Sequence, residues 1–166
     1  DVEALAALDS PRARVLLRQA LRSRNHEVAM AVARHAPGLV PVDERTATLV
    51  AALEGAEFYG GLTQALAQVE EFHPPEIVDV LFRGALVRDG GTAVHFAAML
   101  VFVHGKAETS FDWDQRPFFL RFNTECRSER EAAFSELCAQ VGVDARQYLG
   151  PQGLRASSMN VQDSQA

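Results

Sequence analysis

With 166 residues, 48% of them hydrophobic and 23% charged, the chain is long enough to bury a core without metal or disulfide support. Its net charge of −6 argues against general nucleic-acid binding, which draws most of its affinity from neutralised phosphates. No apolar run reaches the roughly 18 residues of a membrane span, the N-terminus lacks a signal layout, and Cys126 and Cys138 show neither CxxC nor Cys/His metal spacing. Free thiols point to a reducing compartment and hence to the cytoplasm. Opening on Asp1, the chain is expected to be a fragment or a processed form. Lys106 is the only lysine beside 15 arginines, a skew expected of a GC-rich bacterial genome.

Ser10-Pro11 places a cap and a first-turn proline in the order favoured at a helix start. Ala13, Leu16, Leu17, Ala20 and Leu21 then recur at helical spacing, and Arg14, Arg18 and Arg22 line another face. Asn25 caps the next helix, with Val28, Ala29, Val32 and Ala33 as its buried stripe, and Pro37-Gly38 closes it. Residues 10 to 35 hold six arginines against Glu27, a local balance of +5, so the remainder sums to −11 and the chain is electrically lopsided.

The stretch Arg24-Asn25-His26-Glu27-Val28-Ala29-Met30-Ala31-Val32-Ala33 resembles the second helix of a HEAT repeat, in which small alanines permit close stacking. The resemblance covers about 30 residues, on the scale of one solenoid repeat, and implies a stack of helical hairpins.

Asp43 opens a third helix carrying Ala47, Val50, Leu53 and Ala56, and Gly60-Gly61 is expected to stop it. Leu62, Ala65, Leu66 and Val69 make a fourth, ending near Phe72-His73. Pro74-Pro75-Glu76 starts a fifth, and Asp89-Gly90-Gly91 ends it. Thr92 is expected to cap the sixth, Ala93 to Val103, which has no polar face except His95. A helix apolar all round is a central one. Short connections make these helices antiparallel neighbours, three hairpins in all.

Between Gly105 and Pro117 the texture changes to turn formers, including Asp112-Trp113-Asp114. Phe111, Trp113, Phe118, Phe119 and Phe122 then place five of the chain's thirteen aromatics within twelve residues. Ser128-Glu129-Arg130-Glu131 has the form of a capping box. Ala132, Phe134, Leu137, Cys138 and Val141 are the expected inner face of that helix, and Gly142 ends it. A short turn from Asp144 to Leu149 follows. Residues 1–149 thus read as one helical domain and 150–166 as a polar tail.

Asp89-Gly90-Gly91-Thr92-Ala93-Val94-His95-Phe96-Ala97-Ala98 looks like the ankyrin signature, in which Thr and His tie a turn to a helix. Ala93 replaces its proline and no second copy follows about 33 residues on, so this resemblance yields to the HEAT-like one. His95 reads first as a core or turn histidine. His26, His35, His73 and His104 form no HExxH or HxH spacing. Asp112 and Asp114 have hard-cation chemistry but are also common turn caps.

Two surfaces remain. The row Arg14, Arg18 and Arg22 suits an acidic partner, since guanidinium forks pair with carboxylate and phosphate; its other reading is a solvated helix face. The preferred contact region is Phe111, Trp113, Arg116, Phe118 and Arg121, a hot-spot composition. Its structural reading is a lid over the open end of the helical stack. The expectation is an all-α, HEAT-like or irregular α-solenoid of helical hairpins with a C-terminal loop and helix cap. It would act as a non-catalytic protein-binding module of the adaptor, chaperone-like or toxin-immunity type, with no cofactor, metal or membrane partner. An enzyme using Asp112, Asp114 and His95, or a nucleic-acid binder using the arginine row, are the alternatives.

Overall fold

The computed structural model describes residues 1–150; the tail expected over 150–166 lies, beyond Gly150, outside the described residues. The described chain is all-helical, without a β-strand. It forms two compact units that divide between Val80 and Leu81, inside one helix.

The first unit holds α1 (Val2–Ala7), α2 (Pro11–Leu21), α3 (His26–His35), α4 (Val42–Gly55), α5 (Leu62–Glu71) and the start of α6 (Pro75–Val87). α1 is an element the sequence reading did not anticipate. Ser10 accepts from the Ala13 N–H and Asn25 from that of Glu27, so α2 and α3 start at the expected caps. Helix α3 is central here, packing against α1, α2, α4 and α5. Its small Ala29 and Ala33 are buried, and Leu17, Val32 and Val40 form a cluster closed by Val2, Leu5 and Leu39.

Two stripes run differently from expectation. On α2, Ala13 and Leu17 are buried but Leu16 is 42% exposed. On α4 the buried residues are Leu49, Ala52 and Leu53, while Ala47 faces water. Helix α4 also stops at Gly55 rather than at Gly60-Gly61, because Glu57 and Gly60 exchange backbone hydrogen bonds of 2.9 and 2.8 Å in a tight turn of their own. Gly61 follows at φ +80°, a geometry that favours glycine.

The second unit completes α6 and adds α7 (Gly90–Val103), α8 (Arg116–Phe119), α9 (Arg127–Val141) and several 3-10 turns. Thr92, Ala93, Val94 and Phe96 through Val101 are buried along α7, the all-round apolar helix the sequence predicts. Its cap is Asp89 rather than Thr92: the Asp89 carboxylate accepts from the Thr92 N–H at 3.1 Å and from its hydroxyl at 2.9 Å. The two glycines therefore sit in the first turn of α7 instead of ending α6. A Cβ at Gly84 would come within 2.3 Å of the Phe96 ring, so α6 and α7 approach as closely as they do only because that position has no side chain.

The capping box expected at Ser128 is absent, since the chain before it is fixed otherwise. Cys126 occupies the cap position without a side-chain bond to the first-turn N–H groups, while Thr124 donates to Glu129 at 2.6 Å and accepts from the Cys126 N–H. Glu131 pairs with Arg127 at 2.6 Å. The inner face of α9 is Arg130, Ala133, Phe134, Leu137, Cys138 and Val141, with Ala132 outside. Phe82, Phe134 and Tyr148 interlock, Phe82 stacking on Tyr148 at 4.9 Å.

Candidate functional site

The aromatic segment divides into an inner and an outer part, and α8 with its flanking turns does the dividing. Phe119 and Phe122 are fully buried, whereas Trp113 is 73% and Leu120 40% exposed. Phe111 and Phe118 lie half-buried between them. The rings form a chain: His95 to Phe111 at 5.1 Å, Phe111 to Trp113 at 5.2 Å and Phe111 to Phe119 at 5.5 Å. Trp113 is thus an outward ring on a platform rooted in the core.

Hydrogen bonds hold that platform. Asp112 accepts from the Asp114 N–H at 3.0 Å and from Gln115 Nε2 at 3.1 Å, and Gln140 of α9 donates to Gln115 Oε1 at 2.6 Å. The Asp112-Trp113-Asp114 triplet is accordingly a turn cap. The Arg116 guanidinium lies 5.9 Å over the Trp113 ring and that of Arg121 lies 5.5 Å over Phe118, both at cation–π distance. Arg121 also pairs with Glu136 of α9. Phe111, Trp113, Arg116, Phe118 and Arg121 are therefore brought together within the second unit.

Of the alternative catalytic set, Asp112 caps the turn that contains Asp114, and His95 packs on the neighbouring Phe111 ring. Burial holds the half-buried His95 below its ordinary imidazole value. His73 and His104 each place Nδ1 at 2.7 Å from the carbonyl four residues earlier, a helix-end contact. Among the described residues no group of three His, Cys, Asp or Glu is arranged to hold a metal ion. No helix among them is long and apolar enough to cross a membrane.

Arg14, Arg18 and Arg22 share the outer face of α2, within the first unit. Arg14 is engaged by Asp9, whose carboxylate takes its Nε at 3.1 Å and its Nη2 as well. Asp9 stands at φ +37°, the one non-glycine residue with positive φ among those described. Arg18 and Arg22 are exposed.

Three features lay outside the sequence reading. The first is Arg130, only 8% exposed, whose Nη1 donates to the Ala85 and Arg88 carbonyls at 3.3 and 3.0 Å and whose Nη2 donates to Thr124 at 2.7 Å. It places a cation at the carbonyl end of α6, where the helix dipole favours one. Beside it lies a pocket of about 700 Å³, whose walls include Val87, Asp89, Arg127 and Tyr148. The second is the Phe58-Tyr59 pair at the tip of the Glu57–Gly60 turn, with Tyr59 98% exposed. Two adjacent aromatics ahead of Gly-Gly were the available signal for it.

The third is the contrast between the thiols. Cys126 is exposed, and contact with the Ser128 hydroxyl, aided by the Glu129 N–H, draws it below the usual thiol range. Burial, with the charge of Asp144 adding to it, pushes Cys138 up to about 12.

Compared with known proteins, the chain matches no family model, no curated protein and no solved structure.

Proposed function

We propose that the protein is a non-catalytic protein-binding module whose contact face is built on Trp113, with Arg116, Phe118 and Arg121 around it and Phe111 beneath. The observation that carries this reading is the split within one short segment. Phe119 and Phe122 are wholly withdrawn into the core, while Trp113 between them and Phe111 stays 73% exposed. If the cluster served only to close the end of the helical stack, its largest ring would be expected inside. A tryptophan held rigid by its neighbours loses little side-chain entropy on binding, and covering it contributes on the order of 2–3 kcal/mol. Flanking guanidinium groups complete the composition typical of interface hot spots.

In this reading the helical hairpins form a HEAT-like or irregular α-solenoid, closed by the loop and helix after Gly105. Support comes from the mutual packing of consecutive helices α1 to α5 around α3 and from the small buried residues of α3. The setting is a bacterial cytoplasm, and the role that of an adaptor, chaperone-like subunit or immunity protein.

The test is a paired substitution, Trp113→Ala with Arg116→Ala. The wild-type chain is expected to recover one stoichiometric protein from cells of its source. The variant should lose that partner while its helical circular dichroism and melting temperature stay within error. Loss of the fold in the variant would assign Trp113 to the core and end the proposal.

A further inference from the structure

Two stretches of the first unit carry charges of opposite sign. Residues 10–35 hold six arginines and one carboxylate, whereas residues 46–80 hold six carboxylates and no Lys or Arg. Helix α3 packs against α2, which carries Arg12, Arg14 and Arg18, and against α4 and α5, which carry Glu54, Glu70 and Glu71. Stretches of opposite sign on one chain attract their counterparts on a second copy.

Each set also presents exposed apolar groups. On α2, Val15 is 52% and Leu16 42% exposed. At about 100° per residue, Val15 falls between Arg18 and Arg22 on one side and Arg12 on the other, so an aliphatic patch is ringed by guanidinium groups. Arg12, Arg18 and Arg22 are exposed and make no ion pair among the described residues. On the acidic side the Glu57–Gly60 turn, fastened by its two backbone bonds, holds out Tyr59 and Phe58 with their rings edge-on at 4.7 Å. Glu54 and Glu57 beside them are exposed.

These two surfaces fit each other chemically: rings for the aliphatic and guanidinium faces, carboxylates for the remaining N–H groups. Both pairings already occur inside the unit. Arg45 lies 4.2 Å over the Phe72 ring, and Arg34 of α3 meets Glu71 of α5 at 3.5 Å.

We propose that the chain associates head to tail with a second copy of itself, the Glu57–Gly60 turn of one molecule seating on the Val15, Arg18 and Arg22 face of the next. The two contacting patches differ, so the association is heterologous and extends to a ring or an open row. With two rings and a few exposed ion pairs at its centre, the contact is weak and sensitive to salt. Duplex nucleic acid is disfavoured as the occupant of α2, since phosphates gain nothing from Val15 and Leu16. A lipid surface is disfavoured because insertion needs a continuous apolar face, which the arginines interrupt.

Sedimentation velocity of the full chain tests this, from about 10 µM to about 1 mM protein and from about 20 to about 500 mM salt. Expected are larger species that grow with concentration and dissolve with salt. Arg18→Glu with Arg22→Glu, and separately Glu57→Arg with Tyr59→Ser, should each leave a monomer. An equimolar mixture of the two variants should form a dimer and stop there, because one keeps its turn and the other its α2 face. If either double variant loses helical circular dichroism, Arg18→Gln and Tyr59→Ser replace them. A wild type that stays monomeric throughout, association that survives either variant, or a mixture that does not pair would each overturn the proposal. The Trp113→Ala, Arg116→Ala chain should associate like wild type, which keeps this outcome separate from that of the proposed function.

Discussion

Two turns between consecutive helices behave in opposite ways. The turn from α6 to α7 is sealed: Arg130 binds the Ala85 and Arg88 carbonyls, Asp89 caps the next helix, and Gly90 lies so close to Asn123 that a Cβ would meet its side-chain oxygen at 1.9 Å. The turn from α4 to α5 is closed by two backbone bonds of its own, with Tyr59 98% and Phe58 42% exposed. A turn held by groups distant in sequence contributes to stability, and one that holds itself can present a side chain such as Tyr59 to solvent.

The largest effect expected from breaking this contrast is that of Arg130→Ala. Truncation strands three carbonyls at the α6 end and at Thr124, at a cost of about 3 kcal/mol, and lowers the melting temperature by roughly 10 °C. Urea unfolding checks it, and a loss below about 1 kcal/mol would mean that water replaces the guanidinium freely. Next is Gly84→Ala, whose new methyl would sit 2.3 Å from the buried Phe96 ring. Overpacking of that kind should cost about 2 kcal/mol, measured by the same titration. By comparison, Tyr59→Ser at the open turn should stay within about 0.5 kcal/mol of wild type.

The smallest effect is expected from Asp89→Asn, since Asn caps a helix about as well and the change near neutral pH should be ~0.5 kcal/mol or less. Its signature is the pH profile. The Thr92 N–H holds the Asp89 carboxyl below its ordinary value of 3.8; the Thr92 hydroxyl and Arg88 act in the same direction, and burial opposes them. A depressed carboxylate contributes stability that is fully present above its ordinary value and is lost as pH falls through the depressed one. Melting temperatures taken from neutral pH downward should therefore fall less steeply at the acid end in Asp89→Asn than in wild type. Parallel curves would remove Asp89 from the account of the sealed turn.

The same division explains what the sequence made legible. Ser10, Asn25 and Gly142 act on their immediate neighbours, so the helix ends they set were readable from local pattern. Helix α7 was readable because no other placement hides so many apolar side chains. Between Asp89 and Thr92, or Cys126 and Ser128, local preference does not choose, and packing against distant segments decides the cap. Ala47 and Leu49 exchanged roles for the same reason: both fit a helix, and only tertiary contact fixes its rotation. An arginine in a helix reads as solvated, so nothing local distinguishes the buried Arg130 from Arg127, which points to water. Within the aromatic segment, composition identified the cluster. Which ring faces outward depends on the alternation of 3-10 and α turns from Trp113 to Phe122, whose period is too short to read.

The unlike settings of the two sulfurs give the molecule an internal gauge. An alkylating reagent in neutral buffer meets Cys126 at once, whereas Cys138, sealed in α9 with its proton held tightly, can be tagged only in molecules that have come apart around that helix. The ratio of doubly to singly tagged chains then counts those excursions directly, with no dye or engineered reporter.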